Sequence, residues 1–144
     1  MTTSLERGSR RAFVDTSAYY ALIDRRDANH SPAQSIATRL TTERYQQFTT
    51  DFVLAELHAL LLARLGRGIA GRVLRDMDRS STIITPVTTR DQRRAREILQ
   101  QYDDKDFSLT DALSFAVMER LAIPNAFTFD HHFAQYGLSV LTSQ

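Results

Sequence analysis

Arg11-Ala12-Phe13-Val14-Asp15-Thr16-Ser17-Ala18-Tyr19-Tyr20-Ala21-Leu22 holds the transition on which the fold turns. Its first four residues read as a short buried strand that stops at Asp15, and residues 16–22 are compatible with a helix. The same alternation repeats outward from this stretch. After a polar turn at 25–30, a second helix with Pro32 in its first turn reaches Leu40. Residues 47–50 read as a second strand. Strong helix formers follow over 51–65, stopped by Gly66 and Gly68. A further helix spans about 69–79, with Val73, Leu74 and Met77 at helical spacing.

Thr82-Ile83-Ile84-Thr85, closed by Pro86 and Val87, reads as a third strand. Thr88 and Asp91 have the spacing of a capping box for a helix reaching Gln101, and Ser108 opens another helix that ends near Arg120. Beyond Pro124, Ala126-Phe127-Thr128-Phe129 reads as a fourth strand ending at Asp130. A short turn to Gly137 leads to a last strand at 138–141. Strands alternating with helical runs of about 10 residues or more predict an α/β sandwich with a parallel sheet covered on both faces.

Composition narrows the chemistry. The 144 residues carry 18 basic and 17 acidic side chains, a net charge of +1 that excludes a binder held by bulk positive charge. There is no cysteine, which rules out disulfides, thiolate catalysis and zinc fingers. The longest apolar stretch, near 57–65, is interrupted by His58 and Arg64 and is too short to span a bilayer. Residues 1–10 read as a polar tail without the apolar run of a secretory signal, so the expectation is a cytoplasmic protein whose folded domain occupies 11–144.

Four acids stand apart from those on polar faces and in turns. Asp15 and Asp130 each follow an apolar strand, Glu56 lies one and a half turns into the third helix, and Asp111 lies in the first turn of its own. In open α/β sheets, ligands bind outside the carboxyl ends of the strands, where these residues can converge. Each has a plain alternative. Asp15 and Asp130 suit caps of the segments they precede, and Asp111 completes a capping box with Ser108. Glu56 resists that reading, because its helical neighbours Phe52, Val53, Ala59 and Leu60 are apolar and offer no partner. A carboxylate on a covered apolar face needs an arginine or a cation. Four acids together repel one another, and all-oxygen ligands point to a hard cation, Mg²⁺ or Mn²⁺. His131 and His132 flank this group and read as solvated loop residues, with ligation the alternative.

Phe13-Val14-Asp15-Thr16-Ser17, Thr50-Asp51-Phe52-Val53-Leu54-Ala55-Glu56, Asp106-Phe107-Ser108-Leu109-Thr110-Asp111-Ala112 and Thr128-Phe129-Asp130-His131-His132-Phe133 follow one another across residues 11–142. In these segments the chain resembles the PIN-domain family, and in pattern the toxin ribonucleases of bacterial VapBC toxin–antitoxin pairs. The resemblance implies a three-layer sandwich around a mainly parallel sheet of about five strands. It implies Asp15 and Asp111 as the main metal ligands, with Glu56 and Asp130 completing the catalytic cluster. Thr16, Ser17 and Thr110 match supporting polar positions. It further implies Mg²⁺- or Mn²⁺-dependent hydrolysis of RNA to a 5′-phosphate and a 3′-hydroxyl, a small antitoxin as partner, and a homodimer. A solitary RNA-processing nuclease and a non-catalytic module of the same fold are the alternatives.

The chain departs from the family pattern in carrying His132 where a further acid often stands, and in the ten or so residues before its first strand. These residues, with Arg7, Arg10 and Arg11, read as a basic tail or as an incorrectly chosen start. A phosphoacceptor receiver domain wants an aspartate closing its third strand, and Ile84-Thr85-Pro86-Val87 has none. A haloacid-dehalogenase-type phosphatase wants a second aspartate where Ser17 stands. Positive charge to meet RNA is available in two groups, Arg64, Arg67, Arg72, Arg75 and Arg79, and Arg90, Arg93, Arg94 and Arg96, each otherwise a solvated helix face.

Overall fold

The computed structural model describes residues 10–143; the expected tail, apart from Arg10, lies outside them. The elements run β1 (Arg11–Val14), α1 (Thr16–Ile23), α2 (His30–Thr42), β2 (Gln46–Thr49), α3 (Asp51–Leu65), α4 (Arg67–Arg79), β3 (Ile83–Ile84), α5 (Thr89–Gln101), α6 (Leu109–Leu121), β4 (Asn125–Phe127), α7 (His132–Tyr136) and β5 (Ser139–Val140). The five strands form one sheet in the order β3-β2-β1-β4-β5, and every pair is parallel.

β1 lies at the centre because the three residues after Arg11 are apolar. Ala12, Phe13 and Val14 are buried, as a strand covered on both faces requires. From β1 the chain builds outward to β2 and β3 on one side, then returns to place β4 and β5 on the other. The strand order therefore reverses between β1 and β4, the crevice where open α/β sheets hold ligands. Phe13, Phe115, Phe127 and Phe133 are fully buried around this seam, with Leu57, Leu61 and Ile98 filling the layers beside it.

Several boundaries differ from the sequence reading. β3 is two residues long because Pro86 has no N–H to continue the ladder, although the Thr85 N–H still donates to the Thr49 carbonyl at 2.8 Å. Gly66 alone separates α3 from α4. With φ at +91° it turns the chain in one residue, and Gly68 lies inside α4. β4 ends at Phe127 rather than Phe129, and the expected turn before Gly137 is the short helix α7. Arg10 and Arg11 are not loose tail residues. The Arg10 guanidinium reaches the Glu43 carbonyl, and Arg11 is the first residue of β1, donating to the Ala122 carbonyl at 2.6 Å.

The layer formed by α5 and α6 is clamped by charge. Both predicted capping boxes are present, Thr88 with Asp91 and Ser108 with Asp111. Asp91 is only 2% exposed, yet the Arg120 guanidinium donates to both of its carboxylate oxygens at 2.9–3.1 Å. Burial pushes the Asp91 carboxyl up, but Arg120 and the Thr88 N–H hold it below the usual range. Arg94 pairs with Glu119 at 3.0 Å, and the Tyr136 hydroxyl donates to the same carboxylate. Removing the guanidinium by Arg120→Ala leaves Asp91 buried without its partner. The expected cost is about 2–3 kcal/mol, less than for a fully buried pair because Arg120 is partly exposed. Chemical denaturation checks this, and an unchanged midpoint would show that the pair carries no stability.

Candidate active site

At the carboxyl end of β1, the chain leaves the sheet and enters α1 within one residue. Asp15 caps that helix, as its alternative reading had it, with its carboxylate accepting the Ser17 N–H at 3.4 Å. The same carboxylate oxygen accepts the Ser17 and Thr128 hydroxyls, each at 2.9 Å. Thr128 follows directly on β4, so this pair of bonds crosses the reversal point of the sheet. Ser17 Oγ also receives the Phe129 N–H, and Thr128 Oγ1 receives the Asp130 N–H, both at 2.9 Å. Two hydroxyls thus position two acids.

The network continues through His132. Its main-chain N–H donates to Asp130 Oδ1 at 2.9 Å, and its Nδ1 lies 3.1 Å from that oxygen and 3.0 Å from Asp111 Oδ2. Asp111 is held by its own helix, because the Ser108 N–H donates to its carboxylate at 3.0 Å. Capping bonds therefore orient both Asp15 and Asp111. Asp130 stands three residues beyond β4 rather than directly after it, since Thr128 bonds to side chains instead of extending the sheet.

Burial sets the electrostatics. It pushes the Asp15 carboxyl up to about 6, against hydrogen bonds from Ser17 and Thr128, and the charge of Asp111 adds to the rise. Burial likewise raises Asp111, helped by the charge of Asp130 and opposed by the Ser108 N–H and His132. Among the described residues, no arginine or lysine forms an ion pair with Asp15, Asp111 or Asp130. A divalent cation fits this donor set, since it would restore the charge that burial disfavours.

Not every expected residue joins the group. Glu56 is exposed on α3 and stands outside the hydrogen-bonded network. Its apolar neighbours Phe52 and Ala59 are exposed too, so that face of the helix is not covered by the core and imposes no desolvation cost on the carboxylate. Thr16 is buried beside Asp15, and its hydroxyl has no hydrogen-bond partner among the described residues. Thr110 is half-buried and contributes its carbonyl to the Ser114 hydroxyl at 2.9 Å. Sequence reasoning gave no role to Thr128 and placed His132 in solvent. The available signal for both was their position, at the end of an apolar strand and two residues beyond Asp130. Of the second arginine group, Arg90, Arg93 and Arg94 line an open groove between α5 and α6, together with Arg120, which the sequence reading did not include.

This arrangement has known counterparts. The model of the PIN domain matches residues 12–138. The chain belongs to the PIN-domain family. It is 35% identical over 127 residues to the 23S rRNA-specific endonuclease VapC20 of Mycobacterium tuberculosis, covering 87% of this chain and 93% of the relative. The crystal structure of VapC20, described as a Sarcin-Ricin loop cleaving toxin, superposes with a TM-score of 0.82 at 32% identity, over 91% of this chain and 98% of that one. FitAcB from Neisseria gonorrhoeae shares the fold at 13% identity, with a TM-score of 0.67 over 92% of this chain and 97% of its own. VapBC2 from Rickettsia felis, bound to a fragment of promoter DNA, does so at 15% identity and a TM-score of 0.66, over 91% of this chain and 97% of its own. The five-stranded parallel sheet is thus the PIN-domain fold, as the four acid-bearing segments implied.

The raised Asp15 pKa fixes the sign of a pH effect in the metal-free PIN domain. The unfolded carboxyl titrates at 3.8 and the folded one at about 6, so the folded state holds the extra proton between them. Stability from this group is complete below pH ~4 and is lost as pH rises to about 6. Asp15→Asn keeps an acceptor for Ser17 and Thr128 without the charge. It is expected to flatten this decline and to stabilise the chelator-treated protein at pH 7 by about 1–3 kcal/mol, as followed by thermal denaturation across pH 4 to 7.5. A variant less stable than the parent at neutral pH would contradict this account of the site.

Proposed function

We propose that this chain is a metal-dependent endoribonuclease and the toxin of a type II toxin–antitoxin pair, with residues 11–144 acting as one nuclease domain. The observation that carries the reading is the joining of Asp15, Asp111 and Asp130 at the sheet's reversal point, with no arginine or lysine paired to them among the described residues. The likeness to VapC20 supports RNA as substrate, and 23S rRNA is the first target to test.

Asp15, Asp111 and Asp130 are the metal-holding and catalytic residues in this proposal, and Mg²⁺ or Mn²⁺ is the ion. Bound there, the ion supplies Lewis acidity, activating water and offsetting charge on the phosphodiester under attack. The chain's own part is positional. Ser17 and Thr128 hold the Asp15 carboxylate in one orientation, and the Asp111 carboxylate is set by its capping bond to Ser108. Thr16 and Thr110 retain their supporting places beside these two acids. Glu56 joins the catalytic set only through solvent, since it is exposed on α3. Arg90 and Arg93 offer guanidinium groups for phosphates outside the acidic centre, whereas Arg94 and Arg120 are engaged with Glu119 and Asp91.

The partners follow from what is left open. α3 exposes Phe52 at 41% and Leu62 at 46%, with Ala55 and Ala59 between them at helical spacing. That stripe is the surface for the proposed homodimer, and the acidic crevice is the place for a basic segment of a small antitoxin. Among the described residues, no helix is long and apolar enough to cross a membrane, in keeping with a proposed cytoplasmic site of action.

Purified protein is expected to cleave 23S rRNA in Mg²⁺ or Mn²⁺ and to stop on addition of chelator. Asp15→Asn and Asp111→Asn are expected to lower the rate by roughly 100-fold or more. Glu56→Gln is expected to have a smaller effect, in line with its exposure. Cleavage that survives chelation or both Asn substitutions would overturn the proposal.

A further inference from the structure

We infer that His132 is a ligand of the bound ion, which makes this acidic centre a mixed nitrogen–oxygen site that favours Mn²⁺ over Mg²⁺. The inference rests on the reading of Asp15, Asp111 and Asp130 as metal ligands given above. One ring nitrogen of His132 faces carboxylates from two separate parts of the chain, Asp111 at the start of α6 and Asp130 in the segment before α7. Its distances to them are 3.0 and 3.1 Å. Neighbouring ligand atoms on an octahedral ion with bonds near 2.1 Å lie roughly 3 Å apart. The His132 nitrogen therefore already stands at that spacing from one oxygen of each carboxylate.

The imidazole is also held in that position. Phe107 meets the ring edge-on, with centroids 5.4 Å apart and an interplanar angle of 77°. The main-chain N–H of His132 is bonded to Asp130, which ties the residue to one of its co-ligands. Only 17% of the His132 side chain is exposed, against 75% for His131, whose Nδ1 stands 3.9 Å from Asp130. A ligand nitrogen fixed in place loses little conformational freedom on binding. Asp130, His131 and His132 can bring one ligand atom each within 4.8 Å of one another, but His132 alone also reaches Asp111.

The nitrogen decides the preference. Mg²⁺ is a hard ion that takes oxygen and releases water reluctantly, so an imidazole adds little to its binding. Imidazole suits later first-row ions, whose affinity for nitrogen-containing sites rises from Mn²⁺ onward. A neutral ligand here adds no further negative charge to the two carboxylates that face it.

Pulsed electron paramagnetic resonance on untagged protein loaded with Mn²⁺ tests this directly. Nitrogen-14 coupling to the ion is expected in the parent and in His131→Gln, and is expected to vanish in His132→Gln. Competition of Mg²⁺ against bound Mn²⁺ should show the Mn²⁺ preference falling by about tenfold or more in His132→Gln and in His132→Asp. Circular dichroism identifies any variant that has failed to fold, and His132→Asp gives a second variant with a carboxylate in the same place. Mn²⁺ bound in a manner lost in Asp111→Asn, but without nitrogen coupling, would overturn the role of His132 alone. Coupling that persists in His132→Gln would do the same. Absence of Mn²⁺ binding in the parent would overturn the metal reading of the carboxylates as well.

Discussion

A carboxylate buried at the end of the central strand must find donors, and the rest of the site follows from how Asp15 finds them. Its two hydroxyl partners come from opposite sides of the crevice, Ser17 from α1 and Thr128 from the end of β4. Meeting Asp15 draws Thr128 out of the sheet register. Once there, Thr128 takes the Asp130 N–H and fixes the segment that carries Asp130 and His132. His132 in turn meets Asp111 on a helix otherwise packed against α5. One desolvated side chain thereby organises three elements distant in sequence.

In the proposed site, folding and chemistry draw on the same atoms. Asp15 and Asp111 each stabilise the start of a helix, and each remains partly uncompensated because burial raises its pKa. The arrangement is rigid without being relaxed: the donors fix the carboxylates in position, while none of the described arginines or lysines neutralises them. The strong ion pairs lie elsewhere, on α5 and α6, where Arg120 and Arg94 are spent on holding the layer together. Separation of these two kinds of charge keeps structural arginines from quenching the acidic centre.

Much of this was legible in the residues. The apolar run before Asp15, the two capping boxes and the alternation of strands with long helices predict a parallel sheet with acids at its carboxyl edge, and the resemblance of the four acid-bearing segments points to the PIN fold. What was not legible depends on contacts between distant elements. Periodicity shows that Phe52, Glu56 and Ala59 share a face of α3, but not whether another layer covers it, and here none does. The ending of β4 turned on the Thr128 hydroxyl preferring Asp15 to a sheet neighbour, which no local pattern reports. His132 is polar and lies in a loop segment, so only the fold could reveal that its ring is wedged between Phe107 and two acids.

The sheet ends on both sides in strands of two residues, β3 and β5. Edges this short present too few free N–H and C=O groups to recruit a strand from another molecule. Association of this chain with itself or with a partner is therefore steered away from β-pairing and onto side-chain surfaces of helices. The sheet is thereby closed to growth at both ends, and its two margins stay in water without inviting another strand.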